Sequence, residues 1–492
     1  MKRTDSTSYW PVYHRGLTSN DYYLRLNGTD AENEDGTMFD AAPTSTHFII
    51  GDQSNINTSG ASYVAYLFAH NDGDGEFGPT GDQDIIKCGS YTGNGSSTLR
   101  EIDLGFEPQW VVVKRTDSTS DWAIMDNMRG ALYPKVGQTA PSILEANTAD
   151  SDTTTIRRDW GITANGIGIT DNHASINASG GTYIYIAIRR GPMAVPESAT
   201  DVFAISDRKN EIPSFPSGFP VDFLIGPRTI NGADNNEVKT RLISGGYLRA
   251  NTTDAEISSS QVANFAHNDG FFNFSGANAN QYSWMWRRAP NYFDVVAYTG
   301  DGVAGRTVSH NLGVAPEMMW IKERDNATNW NVYHSGLNGG TTPQDYFIRL
   351  NLTNAEIDNS TLWNDTAPTS TQFTLGLASD VNGSNDLYIA YLFASLAGVS
   401  KVGSASHTTG SNTDVDCGFS AGARFVILKG THASGWQVFD TERGIVTGND
   451  PTLTLHSTSA EDSSQDRIDP YSSGFSIGPD IATGTYIFYA IA

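Results

Sequence analysis

The amino-acid sequence predicts an all-β fold: a tandem array of about five β-sandwich repeats, jelly-roll or lectin-like, with the first repeat incomplete. Three observations predict it. The chain has 492 residues, of which 49 are Gly and only 17% are charged, against a usual charged share of about 25%. Asn, Thr and Ser fill the place of the missing charge. Thr, Tyr, Phe and Trp suit a pleated surface and Gly, Asn and Asp suit turns, so this mixture favours many short strands. The second observation is internal repetition, and the third is an aromatic alternation that recurs at the end of each repeat.

The repetition is explicit. Lys2-Arg3-Thr4-Asp5-Ser6-Thr7-Ser8 returns letter for letter as Lys114-Arg115-Thr116-Asp117-Ser118-Thr119-Ser120. A Trp stands eight positions after each Lys, at Trp10 and Trp122, and the spacing recurs at Lys322 and Trp330. Lys429 and Trp436 are one residue closer. Each full unit reads in the same order. An opening strand ends in a turn, as at Asp294 to Gly300, and a second strand leads to a Gly-Phe or Leu-Gly step. A long apolar strand follows, at Gln109 to Lys114, Met318 to Lys322 and Arg424 to Lys429. A polar hairpin then delivers the Trp strand. The unit closes on an alternation such as Tyr63 to Ala69, Tyr183 to Ile188, Tyr388 to Ala394 or Tyr486 to Ile491. Seven or eight strands in about 100 residues have the size and spacing of a β-sandwich, and a propeller blade is about half as long. The expected repeats are residues 1–79, 84–191, 201–289, 293–397 and 400–492.

These repeats are of two kinds around a divergent middle. Trp10-Pro-Val-Tyr-His-Arg-Gly-Leu17 matches Trp330-Asn-Val-Tyr-His-Ser-Gly-Leu337, so the first and fourth repeats pair. Asp126-Asn-Met-Arg-Gly130 matches Asp440-Thr-Glu-Arg-Gly444, so the second and fifth pair. The middle repeat lacks both the Lys and the Trp but still closes on Tyr282-Ser-Trp-Met-Trp-Arg287. The first repeat begins at the Lys of its hairpin, without opening strands. An unclosed sandwich exposes a sheet edge, which favours a longer reading frame, with strands from another chain as the alternative.

Lys and Arg number 31 and Asp and Glu 55, for a net charge of −24. An acidic body repels phosphate backbones, which argues against nucleic acid as a partner. Cys88 and Cys417 are too far apart for a disulfide framework or a zinc spacing. No apolar run reaches the ~18–20 residues of a membrane helix, and no apolar stretch follows Met1-Lys2-Arg3 as in a secretory signal. No membrane partner is expected.

Two constellations are candidates for a specific site. Between the first two repeats lie Asp72, Asp74, Glu76, Asp82 and Asp84. Alternating carboxylates can wrap a calcium ion, but the loop departs from the EF-hand pattern at its sixth and twelfth positions. A solvated Gly-rich linker is the simpler reading, with no cofactor, and Ca²⁺ is the alternative. The second set is Trp10, Trp122, Trp330 and Trp436. Exposed, they could stack on sugar rings as a carbohydrate-binding platform. Their recurrence favours core packing, because every repeat needs a core and not every repeat needs a ligand. His14 and His334 share a Val-Tyr-His setting and are expected only to be hydrogen-bonded. Asp126 with Arg129, and Asp440 with Arg443, are expected to pin turns by surface ion pairs contributing about 0–1 kcal/mol. No nucleophile elbow, zinc-protease motif, phosphate loop or Cys–His pair occurs, so an enzyme is not expected.

With the repeats laid out, the chain resembles repeat-containing structural proteins of tailed bacteriophages, especially cyanophages. The second repeat carries the resemblance most fully, in Gly105-Phe106-Glu107-Pro108, Lys114-Arg115-Thr116-Asp117, Trp122 and Arg129-Gly130. The resemblance implies a virion location, in a tail fibre or a capsid or tail surface appendage. It also implies other virion proteins and self-association into a homo-oligomer as partners. It brings no catalytic residues. The alternative is a receptor-binding adhesin that recognises host-surface carbohydrate, for which aromatics would line one groove in a single repeat.

Overall fold

A computed structural model describes the chain except for residues 71–72, 74–76, 79–80, 130–132, 134–142, 151–158, 230–231, 244–245, 259–264 and 274–280. The chain is all-β, in many separate antiparallel sheets. It divides into two compact units, Met1–Gly191 and Pro192–Ala492.

One sheet plan underlies the complete repeats, and the closing strand is its centre. In the fourth repeat the closing strand Leu387–Phe393 lies between the opening strand Phe293–Thr299 and the long strand Met318–Glu323. The sheet continues through Asn331–His334, Tyr346–Arg349 and Ile357–Asp358. A small second sheet pairs Arg306–Ser309 with Gln372–Leu375. The fifth repeat sets Gly484–Ile491 between Ser400–His407 and Phe425–Gly430. In the second repeat Thr182–Arg189 takes this place between Ile86–Thr92 and Pro108–Arg115. The middle repeat places Gln281–Trp286 between Phe203–Asp207 and Phe223–Thr229. A strand paired on both edges and covered on both faces needs apolar residues at nearly every position, and Leu387–Phe393 is buried throughout. That is why the closing segments read as aromatic runs.

Each sandwich fills with its own side chains. The second repeat packs Phe106, Val111, Val113, Met125, Trp160, Ile167 and Tyr183 into one cluster. The fifth packs Val426, Leu428, Phe439, Phe475 and Phe488 in the same way.

The first repeat departs from the plan. Its closing strand is reduced to Tyr63–Val64, paired only with Lys2–Arg3. A separate sheet joins Pro11–Val12, Tyr22–Arg25 and Asn33–Glu34. Tyr66, Leu67 and Phe68 lie outside any strand and are 62%, 73% and 49% exposed. Their counterparts Tyr391, Leu392 and Phe393 in the fourth repeat are fully buried.

Candidate functional site

The residues that recur in every repeat converge on the joints between repeats. Hydrogen bonding fixes the equivalences. The backbone N–H of Trp10, Trp122, Asn236, Trp330 and Trp436 each donates to a side chain two residues beyond a strand: Asn27, Asn147, Asn251, Asn351 and His456. Asn236 of the middle repeat therefore stands where the other repeats have Trp. By register, Arg228 stands where they have Lys, since Arg228 faces Tyr282 as Lys322 faces Ile389.

Three of the four hairpin tryptophans reach out of their own sandwich. Trp122 Nε1–H donates to the Arg25 carbonyl of the first repeat at 2.9 Å. Trp330 Nε1–H donates to Arg249 of the middle repeat at 2.9 Å, and Trp436 Nε1–H to Arg349 of the fourth at 2.8 Å. The three indoles are 3%, 0% and 1% exposed. Trp122 packs with Leu17 and Leu24 of the first repeat as well as Val112 and Ile184 of the second. It is absent from the interior cluster of its own sandwich. The expectation that these tryptophans fill the core of each sandwich is thus corrected in place: three are buried, but in the seam between repeats. Trp10 is half-buried, against Tyr66 at a ring separation of 6.3 Å.

The motif lysines support the same joints. Lys114 Nζ donates to Thr29 of the preceding repeat at 3.2 Å, and Lys429 Nζ to Asn354 of the preceding repeat at 3.0 Å. Both also tie down their own hairpin, through Arg115 O and His432 O. Lys322 Nζ holds its own hairpin through Glu323 O and Asn326 O. Burial disfavours the charged form and lowers Lys114 and Lys322 to about 8 and Lys429 to about 7.

In Pro192–Ala492 the joints close on themselves. The two Asn236 Nδ2–H groups are shared among the carbonyls of Thr454, Leu455 and Ser457 of the fifth repeat, which lie 2.9, 3.0 and 3.0 Å from Nδ2. Arg228 Nη1 donates to the same Thr454 carbonyl at 3.1 Å, and Nη2 to Ser459. The fifth repeat hooks the fourth, the fourth hooks the middle, and the middle hooks the fifth. Three aromatic contacts follow the same cycle: Phe203 with Phe425 at 5.0 Å, Phe223 with Tyr391 at 4.7 Å, and Phe393 with Tyr489 at 5.0 Å. Three sandwiches therefore form a closed ring of pseudo-threefold character around an aromatic hub. Aromatic pairs of this kind contribute about 0.5–1.5 kcal/mol each beyond area burial.

Asp440 and Arg443 correct a second expectation. They are not a surface pair: their side chains are 1% and 2% exposed, with Nε to Oδ2 at 2.6 Å. Trp284 of the middle repeat covers them and donates its Nε1–H to Asp440 at 2.9 Å, while Arg443 lies over the Trp284 ring. Asp126 and Arg129 remain partly exposed.

His14 and His334 are hydrogen-bonded across a joint. Their Nδ1 atoms accept from Gly16 and Gly336 N–H, so Nε2 carries the proton given to the Tyr185 and Phe488 carbonyls of the next repeat. Burial lowers both imidazoles to about 4.

The acidic loop is described only in part. Asp72, Asp74 and Glu76 lie outside the described residues. Asp84 accepts the Gly73 N–H on both carboxylate oxygens at 3.1 Å, and Asp82 is exposed. Among the described residues no group of three His, Cys, Asp or Glu is placed to hold a metal. Cys88 and Cys417 are buried free thiols, pushed up to about 11 and about 12 by burial.

The chain is thus an all-β repeat protein whose recurring residues hook one sandwich to the next. Residues 1–192 and 218–492 match the family described as Domain of unknown function (DUF7483), and the chain belongs to that family. No curated protein matches the chain.

Proposed function

We propose that this chain is a non-enzymatic structural protein of a bacteriophage virion, part of a tail fibre or a capsid or tail surface appendage. The observation that supports this reading is the use made of the recurring residues. Trp122, Trp330 and Trp436, with Lys114 and Lys429, are committed to joining sandwiches. Buried indoles offer no face to a sugar, so the repeats read as stiffly connected spacers rather than as a row of binding platforms. The surplus of acidic side chains favours solubility and resists self-aggregation of a component present at high local density.

The test is immunoelectron microscopy of purified particles with antibody raised against the full chain. Regular labelling at one location on the particle is expected. Its absence from particles whose major proteins are all accounted for would refute a virion role. Saturable binding of the chain to host-surface glycan would favour the adhesin reading instead.

A further inference from the structure

The unit Met1–Gly191 contains two of the three places that the ring in Pro192–Ala492 fills. Its first repeat matches the fourth and its second matches the fifth. The seam between them is built alike: Trp122 hooks Arg25 as Trp436 hooks Arg349, and His14 reaches Tyr185 as His334 reaches Phe488. The place of the middle repeat has no counterpart in this unit.

The residues that would meet that third sandwich are exposed. In the ring, Tyr391 and Phe393 face the hub, with Phe223 of the middle repeat against Tyr391. Their counterparts Tyr66 and Phe68 are 62% and 49% exposed. Trp10 stacks on Tyr66 as Trp330 stacks on Tyr391, but Trp330 is fully buried and Trp10 is half-buried. The fourth repeat also pairs its closing strand on both edges, with Val295 opposite Tyr391 and Phe293 opposite Phe393. Residues 66–68 have neither neighbour. An exposed apolar segment that continues the closing strand Tyr63–Val64 without ladder partners is a template for strand addition.

We propose that Trp10 and Tyr66–Phe68 form a docking face for a further β-segment of the 201–321 kind, comprising a middle-type sandwich followed by an opening strand and a long strand. This continues an interface already present, since the Trp122–Arg25 seam is one of the three seams of such a ring. The family matches agree: residues 218–492 take in most of a middle-type repeat and both repeats after it, whereas residues 1–192 take in only the latter two kinds. A second whole copy of this chain does not fit the face. Its own 201–321 segment is already consumed, with Phe203, Phe223, Trp286 and Phe293 buried in its own ring.

The experiment compares the full chain with the full chain bearing an extra copy of residues 201–321 joined ahead of Lys2. Hydroxyl-radical footprinting reads Tyr66 and Phe68, and hydrogen exchange reads residues 63–69. The extra copy is expected to lower labelling of both rings several-fold and to slow exchange, and Val295→Asp within the added copy is expected to undo this. A synthetic peptide of residues 290–321 added to the full chain supplies a second measurement that does not depend on the fusion folding. Unchanged labelling in both experiments would overturn the proposal. So would protection of Tyr66 and Phe68 in the unextended chain that rises with its concentration, because the occupant would then be a second copy.

Discussion

Trp122→Ala separates a seam residue from a core residue. The indole is 3% exposed and packs on Leu17 and Leu24 of one repeat and Val112 and Ile184 of the next. Its removal leaves a cavity shared by two sandwiches, and large buried truncations of this type cost roughly 3–5 kcal/mol. About 1 kcal/mol of that is the hydrogen bond to the Arg25 carbonyl at 2.9 Å. Trp122→Phe keeps most of the apolar volume and loses the donor, for roughly 0.5–1.5 kcal/mol, since the Arg25 carbonyl still accepts the Gly28 N–H at 3.1 Å. A single melting curve is a poor readout for a chain of several domains. Hydrogen exchange followed by mass spectrometry resolves the repeats. Both variants should speed exchange in Tyr22–Arg25, about 97 positions away in sequence, while the interior strand Gly166–Ile169 of the second repeat stays protected. If Trp122→Ala opens the interior of the second repeat and leaves Tyr22–Arg25 unchanged, the indole belongs to its own sandwich and the seam argument is wrong.

Other perturbations probe the remaining contacts. Asn236→Ala removes two N–H donors that are shared among three carbonyls, and at about 1 kcal/mol per donor should cost roughly 2 kcal/mol, seen as faster exchange at residues 453–457. Asp440→Asn takes from buried Arg443 one of its two carboxylates and leaves Glu461 at 3.3 Å, so the cost should fall below the about 3–5 kcal/mol of a fully orphaned buried charge; the middle and fifth repeats should both loosen. His334 has a folded value near 4, below its ordinary 6.5, so the unfolded state takes up a proton first as pH falls. Its contribution is intact above pH 6.5 and is lost progressively toward pH 4, up to roughly 3 kcal/mol. His334→Gln should flatten that decline in the exchange of Gly484–Ile491. Chelator should leave the melting of residues 1–191 unchanged if residues 71–84 are a linker, and a fall in midpoint would favour calcium.

The sequence carried the architecture further than the joints. The seven-residue identity at Lys2 and Lys114 and the closing aromatic runs revealed strands and repeats, because a doubly paired central strand cannot hide its composition. The destination of the tryptophans was not legible. A side chain buried in a seam and one buried inside a sandwich make the same apolar demand on the sequence. The middle repeat looked degenerate because it lacks Lys and Trp, yet Arg228 and Asn236 occupy those positions and make the corresponding bonds. A signal for this existed in Tyr247-Leu-Arg-Ala-Asn251-Thr-Thr-Asp-Ala-Glu256, which repeats Tyr23-Leu-Arg-Leu-Asn27-Gly-Thr-Asp-Ala-Glu32 and Phe347-Ile-Arg-Leu-Asn351-Leu-Thr-Asn-Ala-Glu356. These stretches carry the accepting carbonyls Arg249, Arg25 and Arg349. The pair Asp440 and Arg443 read as a surface turn because nothing local shows that Trp284, 156 positions away, covers it.

Ring closure between the middle and fifth repeats is the claim that most directly separates a closed unit from a string of independent sandwiches. Asn236→Leu with Trp284→Phe in the full chain tests it, since Asn236 bonds the Thr454, Leu455 and Ser457 carbonyls and Trp284 Nε1–H bonds Asp440. Hydrogen exchange should speed at residues 436–440 and 453–457 of the fifth repeat, while Gly474–Ile477 in its second sheet stays protected. Unchanged exchange at 436–440 and 453–457 would show that the middle and fifth repeats do not meet and that the ring does not exist.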